Sequence, residues 1–419
     1  MNLSFLPTLP FQLSYPLLFG VLLVAGMLGG EAARSLKLPR IIGYVLVGFI
    51  LAPLAQAMNI EPLIDEARIF VDLALGLVLF DLGRRMDLKW MKRDWTLAAS
   101  GLAESVLTFA AVFATLIALD FAAVKAGIAA AIAIATSPAV VLLVVQDTRS
   151  EGQVTERALN LVALNSLLAS ILVTILLAAA HYEARVDVET TVLHPLYLFA
   201  GSLLLGAAMT SFARVVARLI DKTKDLHFTL IAGLVVAAVG IATLLKLSVI
   251  LSLLAFGLFA RNDERSYELL NVSLGPASRL LYIVLFVITG ASLPLPALLL
   301  GGWAALAFVA ARTAGKLLGV LVIAPIGGLR MRQALGLGCA LLPMSSLALM
   351  LQHDIAKLFP EFGQQLTAVF LGAVIIMEIL GPLAVQWGLT LAGETEPLAP
   401  RASSPAPVAE ARATKAPGA

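Results

Sequence analysis

Charge is scarce in these 419 residues. Asp, Glu, Lys and Arg make up 13% of the chain and apolar residues 60%, against about 25% and 45–50% in a soluble domain. So much apolar surface cannot be hidden inside a water-soluble globule, and a soluble enzyme and a DNA-binding protein are excluded. Cysteine is nearly absent. The single Cys339 lies in an apolar run, which removes a disulfide framework and a thiolate metal site. The four histidines are scattered without metal-ligand spacing, and Lys+Arg (29) nearly balances Asp+Glu (27), so nothing points to nucleic acid. The first fifteen residues hold no Lys or Arg, so no cleaved signal peptide is expected.

Long apolar runs are what the chain does have. They are continuous rather than alternating, which excludes an outer-membrane barrel. Closed helices are the unit that satisfies backbone polar groups in lipid. Read between charged, Pro and Gly breaks, the runs predict thirteen transmembrane spans: roughly 15–33, 41–58, 64–83, 95–119, 123–146, 157–180, 193–217, 226–245, 247–260, 276–292, 297–324, 332–353 and 362–392. An extracytoplasmic N-terminus (1–14) precedes them. An Ala/Pro-rich tail (394–419) follows and reads as disordered, with no soluble regulatory domain expected after it.

Positive charge sets the orientation. The loops after odd-numbered spans, with the tail, hold most of the basic residues, among them Arg34, Lys37, Arg40, Arg84, Arg85, Lys89, Lys92 and Arg93. Only Arg68, Lys125, Arg185, Lys246 and Lys357 fall on the other side. The N-terminus is therefore expected outside and the C-terminus in the cytoplasm.

The chain also repeats itself. LKLPRIIGYVLVGF from Leu36 returns as LKLSVILSLLAFGLF from Leu245, and VLF with a following glycine occurs at Phe80/Gly83 and again at Phe286/Gly290. The near-constant offset equals seven spans. Seven is odd, so the copies have opposite orientations: spans 1–6 (15–180) and spans 8–13 (226–393), joined by linker span 7 (181–225). Inverted repeats of this kind build many secondary transporters.

Matching positions of the two copies carry breaks. Span 5 holds Thr136-Ser137-Pro138, and its mate, span 12, holds Pro343, Ser345 and Ser346. Proline removes a helix hydrogen bond, and paired interruptions point to a transport site. Ionisable groups at membrane depth are functional candidates: Glu104 in span 4, Arg312 and Lys316 in span 11, and Glu378 in span 13. Asp81 beside Arg84 and Arg85, and Glu31 beside Arg34, read as structural ion pairs. The repeat sets Glu104 opposite Arg312, predicting that the two approach each other.

These motifs together resemble the monovalent cation:proton antiporter superfamily (sodium/hydrogen exchangers), in its bacterial Kef-type branch, over nearly all of residues 16–393. The similar segments are ARSLKLPRIIGYVLVGFILAP, LVLFDLGRRMDL, ATSPAVVLLVVQD, LLPMSSLAL and GPLAVQWGL. The resemblance implies an ion-carrying core over a dimerisation domain, alternating access, a homodimer in the bacterial inner membrane, monovalent cations and protons as the transported species, and no cofactor or enzymatic chemistry. Without an appended nucleotide-binding domain, ligand-gated potassium efflux is not expected. One departure stands out. Where the family carries a span-six dipeptide ending in aspartate, this chain has Asn165-Ser166. The basic partner in span 11 is kept as Arg312.

An antiporter needs one group for which proton and cation compete, and serine does not titrate in the useful range. Two readings follow. Exchange survives on a relocated carboxylate, Glu378 or Glu104, with Thr136, Ser137, Pro138, Asn165, Ser166, Pro343, Ser345 and Ser346 lining the path and Arg312 as charge partner. Alternatively, the fold serves a proton-uncoupled transporter or a regulatory or sensor membrane protein. A membrane-embedded enzyme is disfavoured, because no nucleophile–base pair or metal cluster accompanies the breaks.

Overall fold

The computed structural model describes residues 15–57, 68–183, 188–219, 224–263, 275–293, 295–344, 348, 351 and 360–396. The regular elements among them are helices: α1 (Tyr15–Ser35), α2 (Arg40–Ala57), α3 (Arg68–Arg85), α4 (Leu88–Arg93), α5 (Trp95–Ala118), α6 (Ala123–Ile134), α7 (Pro138–Thr148), α8 (Gln153–Glu183), α9 (Val188–Leu219), α10 (Lys224–Leu244), α11 (Val249–Asn262), α12 (Gly275–Ser292), α13 (Leu295–Ile323), α14 (Met331–Ala340) and α15 (Pro360–Ala392). They coincide with the thirteen apolar runs, spans 5 and 12 each being interrupted. The chain is an all-α polytopic membrane protein. The short α4 was not among the expected spans. Asp87 starts it, its carboxylate accepting from the backbone N–H groups of Lys89 (2.9 Å) and Trp90 (3.0 Å), as an N-cap does.

The repeat is written into backbone detail. Lys37 and Lys246, 209 residues apart, both take left-handed φ, 62° and 53°. Each ends a helix through the same pair of hydrogen bonds: Leu38 N to Ala33 O (3.0 Å) in one copy and Leu247 N to Ala242 O (2.7 Å) in the other, with Lys37 N to Arg34 O (2.9 Å) matched by Lys246 N to Thr243 O (3.1 Å). Asp120 (φ 62°) and Gly328 (φ 70°) form a second such pair after α5 and α13.

Helix crossings obey the same symmetry. At Gly83 on α3 an added Cβ would strike the backbone of α11 at Leu254 and Gly257, and at Gly257 it would strike Phe80 and Arg84. At Gly48 on α2 it would strike α12 at Val287 and Ala291, and at Gly290 it would strike Val45. The α3–α11 crossing thus maps onto α12–α2 with the partners exchanged, as a pseudo-twofold axis requires. Glycine permits this backbone-to-backbone approach, the main means of helix association where lipid supplies no hydrophobic drive.

Burial places the broken span at the centre. The most apolar stretch of the span from Ala123 to Thr148, comprising α6 and α7, is 94% buried, against 22% for that of Leu193–Leu219 in α9. Helix α5 carries its polar residues inward: Ser100, Glu104, Ser105 and Thr108 are buried while Leu102 and Val106 are exposed. Ion pairs gather where the basic loops are: Arg40 with Glu31 and Asp147, Arg84 and Arg85 with Asp81, Arg261 with Asp87, Arg157 with Asp94 and Arg214 with Asp263.

A candidate ion site at two converging helix ends

Helix α6 stops at Ile134. Ala135 (ψ 137°) and Ser137 (ψ 109°) are extended, and Pro138 is the first residue of α7. Proline disfavours α geometry in the residue before it, which accounts for Ser137. Helix α14 stops at Ala340, and Leu342, Pro343 and Met344 are non-helical. The two interruptions are joined directly. The Thr136 hydroxyl donates to Leu341 O (3.0 Å), and the Ser137 amide to Pro343 O (2.9 Å).

Two helix C-termini therefore meet deep in the protein. Their last carbonyls have no intrahelical partner and carry partial negative charge. Two fully buried cations on α13, one turn apart, answer them. The Arg312 guanidinium donates from Nε to Ala133 O (2.9 Å), from Nη2 to Ala135 O (2.7 Å) and Pro343 O (3.3 Å), and from Nη1 to Leu342 O. The Lys316 ammonium donates to Ile134 O (2.8 Å), to the Thr136 hydroxyl (3.1 Å) and to the Glu104 carboxylate. Arg312 spans both breaks, and Lys316 joins the first break to α5.

Glu104 is itself fully buried. Its meeting with Lys316 depends on how closely α5 approaches α13. A Cβ at Gly319 would lie 2.7 Å from Glu104 N, and one at Gly315 would lie 2.9 Å from Leu107 O. The Thr108 hydroxyl stands 3.5 Å from Glu104 Oε1, while Oε2 is buried without a hydrogen-bond partner. Next along α5, the Ser105 hydroxyl donates to Asn165 Oδ1 (3.4 Å), and Asn165 Nδ2 is buried without one. Ser166, also fully buried, gives its proton to Val162 O of its own helix (2.7 Å).

The structure thus brings together Thr136, Ser137, Pro138, Pro343, Arg312 and Glu104, with Asn165 reached through Ser105. Glu378 is fully buried on α15, one turn before Gly381, where an added Cβ would lie 3.0 Å from Pro343 Cα. Ser345 and Ser346 lie outside the described residues. Glu104 comes within electrostatic reach of Arg312, as expected, but makes its ion pair with Lys316, and Arg312 spends its hydrogen bonds on main-chain carbonyls. The repeat gave the right helices, and the α5–α13 crossing sets Glu104 beside Gly319 and Thr108 beside Gly315, which leaves Lys316 as the cation in reach of Glu104. Lys316 was a candidate at membrane depth without a place in the expected lining, and Ser105 and Thr108 were missing from it. For Lys316 and Thr108 the sequence signal was helical spacing, four residues after Arg312 and four after Glu104. Among the described residues no group of three or more His, Cys, Asp or Glu could hold a metal ion.

Membrane-crossing helices broken in matched pairs, with carboxylate and ammonium groups buried at the breaks, define an ion-carrier class of membrane protein. Residues 19–390 match the family described as "Sodium/hydrogen exchanger, transmembrane", and the chain belongs to that family. Two solved structures of the sodium proton antiporter MjNhaP1 from Methanocaldococcus jannaschii are similar to it in fold. The structure at pH 8 superposes with a TM-score of 0.63 at 18% identity, covering 90% of this chain and 96% of that one. The electron-microscopy structure gives 0.66 at 18% identity, covering 90% and 98%. No curated protein matches the sequence.

Proposed function

We propose that this chain exchanges a monovalent cation for protons by alternating access, with Glu104 as the carboxylate for which the two compete. The observation that carries the reading is the fully buried Glu104–Lys316 pair beside the Thr136 hydroxyl. A carboxylate with one oxygen held by an ammonium and the other unengaged can take a proton or a desolvated cation, but not both at full occupancy. Oxygen donors around it, Thr136, Thr108 and Ser105, suit Na⁺, Li⁺ or K⁺. Arg312 keeps the two breaks neutralised whichever ion is bound. Glu378, on the repeat mate of the helix that bears Asn165 and Ser166, is the second candidate carrier. In this reading spans 4–6 and 11–13 move as an ion-carrying core against the remaining spans. The chain works as a homodimer in a bacterial inner membrane, basic loops toward the cytoplasm.

The second reading, an uncoupled transporter or sensor, is favoured by one observation: Ser166 ties its hydroxyl proton to its own helix and offers no titrating group. Proteoliposomes containing an internal pH dye separate the two. A proton gradient is imposed and Na⁺, K⁺ or Li⁺ is added outside. The exchanger reading requires a cation-triggered pH change that Glu104→Gln abolishes. Loss with Glu378→Gln alone moves the role to Glu378. Silence toward every ion over a range of pH sinks exchange and leaves the uncoupled reading.

A further inference from the structure

The short helix α4 lies between two membrane helices, α3 and α5, on the side rich in basic residues. Trp90 and Met91 pack against the hydrophobic core, while Lys89, Lys92 and Arg93 are exposed. Trp95, the first residue of the α5 span, is 61% exposed, at the level where indoles sit between lipid and water. Trp90, Arg93, Asp94, Trp95 and Thr96 line an open cavity of about 390 Å³.

The carboxylates of this segment are already engaged. Asp87 caps α4 and pairs with Arg261 (3.0 Å); Asp94 accepts from Arg157 (2.7 Å) and from the Thr96 hydroxyl. Among the described residues no ion pair engages Lys92 or Arg93. The cavity therefore presents the Arg93 guanidinium and two indoles at the start of a membrane span, with the exposed Lys92 one residue before Arg93. A guanidinium matches phosphate geometry with parallel N–H donors, and the apolar indole walls offer contact to acyl chains that a free phosphate lacks.

We propose that α4 and the first turn of α5 form a headgroup site for an anionic phospholipid, with the phosphodiester on Arg93 and Lys92 and the glycerol end of the acyl chains against Trp90 and Trp95. The site sits on the connection between span 3 and span 4 and does not depend on the transport reading. Each basic residue near an anionic leaflet contributes roughly fivefold in affinity.

The test uses the purified full chain, stripped of lipid and offered mixed micelles of phosphatidylglycerol and phosphatidylcholine. Retained lipid is counted by native mass spectrometry. Wild type is expected to retain phosphatidylglycerol selectively. Lys92→Gln with Arg93→Gln should lower that retention roughly 25-fold, while the charge-preserving Lys92→Arg with Arg93→Lys should keep most of it. Arg149→Gln, on the same side and 79% exposed at its side chain, is expected to change nothing. All variants are compared at equal thermal midpoints in phosphatidylcholine alone. Unchanged retention in the double glutamine variant overturns the site. An equal loss in Arg149→Gln also overturns it, showing diffuse attraction. Displacement of the lipid by millimolar inorganic phosphate overturns it in favour of a simple anion site.

Discussion

Lys316 on α13 and Glu104 on α5 form an ion pair with both side chains at 0% exposure. Removing one partner of such a pair strands a charge at membrane depth, which costs about 3–5 kcal/mol. Lys316→Met and Glu104→Gln singly should each destabilise the protein by that order, read as a lowered thermal midpoint in detergent. The double variant should recover part of the loss, since neither charge is then left without its counter-charge. Additive losses would show that the two side chains do not interact.

Arg312 is expected to be less replaceable. It bonds four carbonyls from two chain breaks, a pattern only a planar fork can meet. Arg312→Lys preserves the charge but reaches fewer of those oxygens. It should destabilise the protein by about 2–4 kcal/mol and slow transport, both measurable in one reconstituted preparation.

The glycine crossings yield a paired prediction. Gly83→Ala and Gly290→Ala, at mates in the repeat, should each destabilise by about 1–3 kcal/mol through forced helix separation. Gly233→Ala and Gly240→Ala, where nothing lies within 4 Å of an added Cβ, should be neutral or slightly stabilising. Thermal melts of the four variants decide it, and similar losses in all four would disprove the crossing argument.

Asp147 ties the end of α7 to the start of α2 through Arg40 at 2.8 Å, and Glu31 holds the same guanidinium at 2.8 Å. The pair is only slightly exposed, 12% and 15% at the side chains. Asp147→Asn should therefore cost about 1–2 kcal/mol, whereas Glu31→Gln, half exposed, should cost under about 1 kcal/mol. Measured midpoints in the reverse order would contradict this ranking.

Asp87 predicts a pH dependence. Its burial raises the carboxyl, but N–H bonds from Trp90 and Lys89 and the Arg261 guanidinium outweigh that and hold it below the ordinary value. A depressed carboxyl contributes stability that is complete above its unfolded value, about 3.9, and is lost as pH falls through the lower folded value. The difference in thermal midpoint between wild type and Asp87→Asn should therefore be constant from pH 7 to pH 5 and shrink below about pH 4. A difference that shrinks between pH 7 and pH 5 would assign the effect to another group.

The spans, their breaks and the two-copy plan were all legible in the sequence, because each is local chemistry repeated along the chain. Apolar length marks a span, proline marks a break, and the recurrence of Leu-Lys-Leu at Leu36 and Leu245 marks the copies. The proline breaks named Thr136, Pro138 and Pro343, and charge at membrane depth named Arg312. Partner choice inside the bundle was not legible. Whether Glu104 meets Arg312 or Lys316 depends on which turn of α13 the glycines Gly315 and Gly319 bring against α5. The short α4 was missed because six residues with three basic side chains give no apolar run; its cap at Asp87 shows only when the chain turns there. Composition and periodicity alone determined that this protein spans a membrane as an inverted helical repeat. Tertiary packing decided which buried charge answers which, because electrostatic pairing in a low-dielectric interior follows ångström-scale approach between distant segments, and no one-dimensional pattern contains that distance.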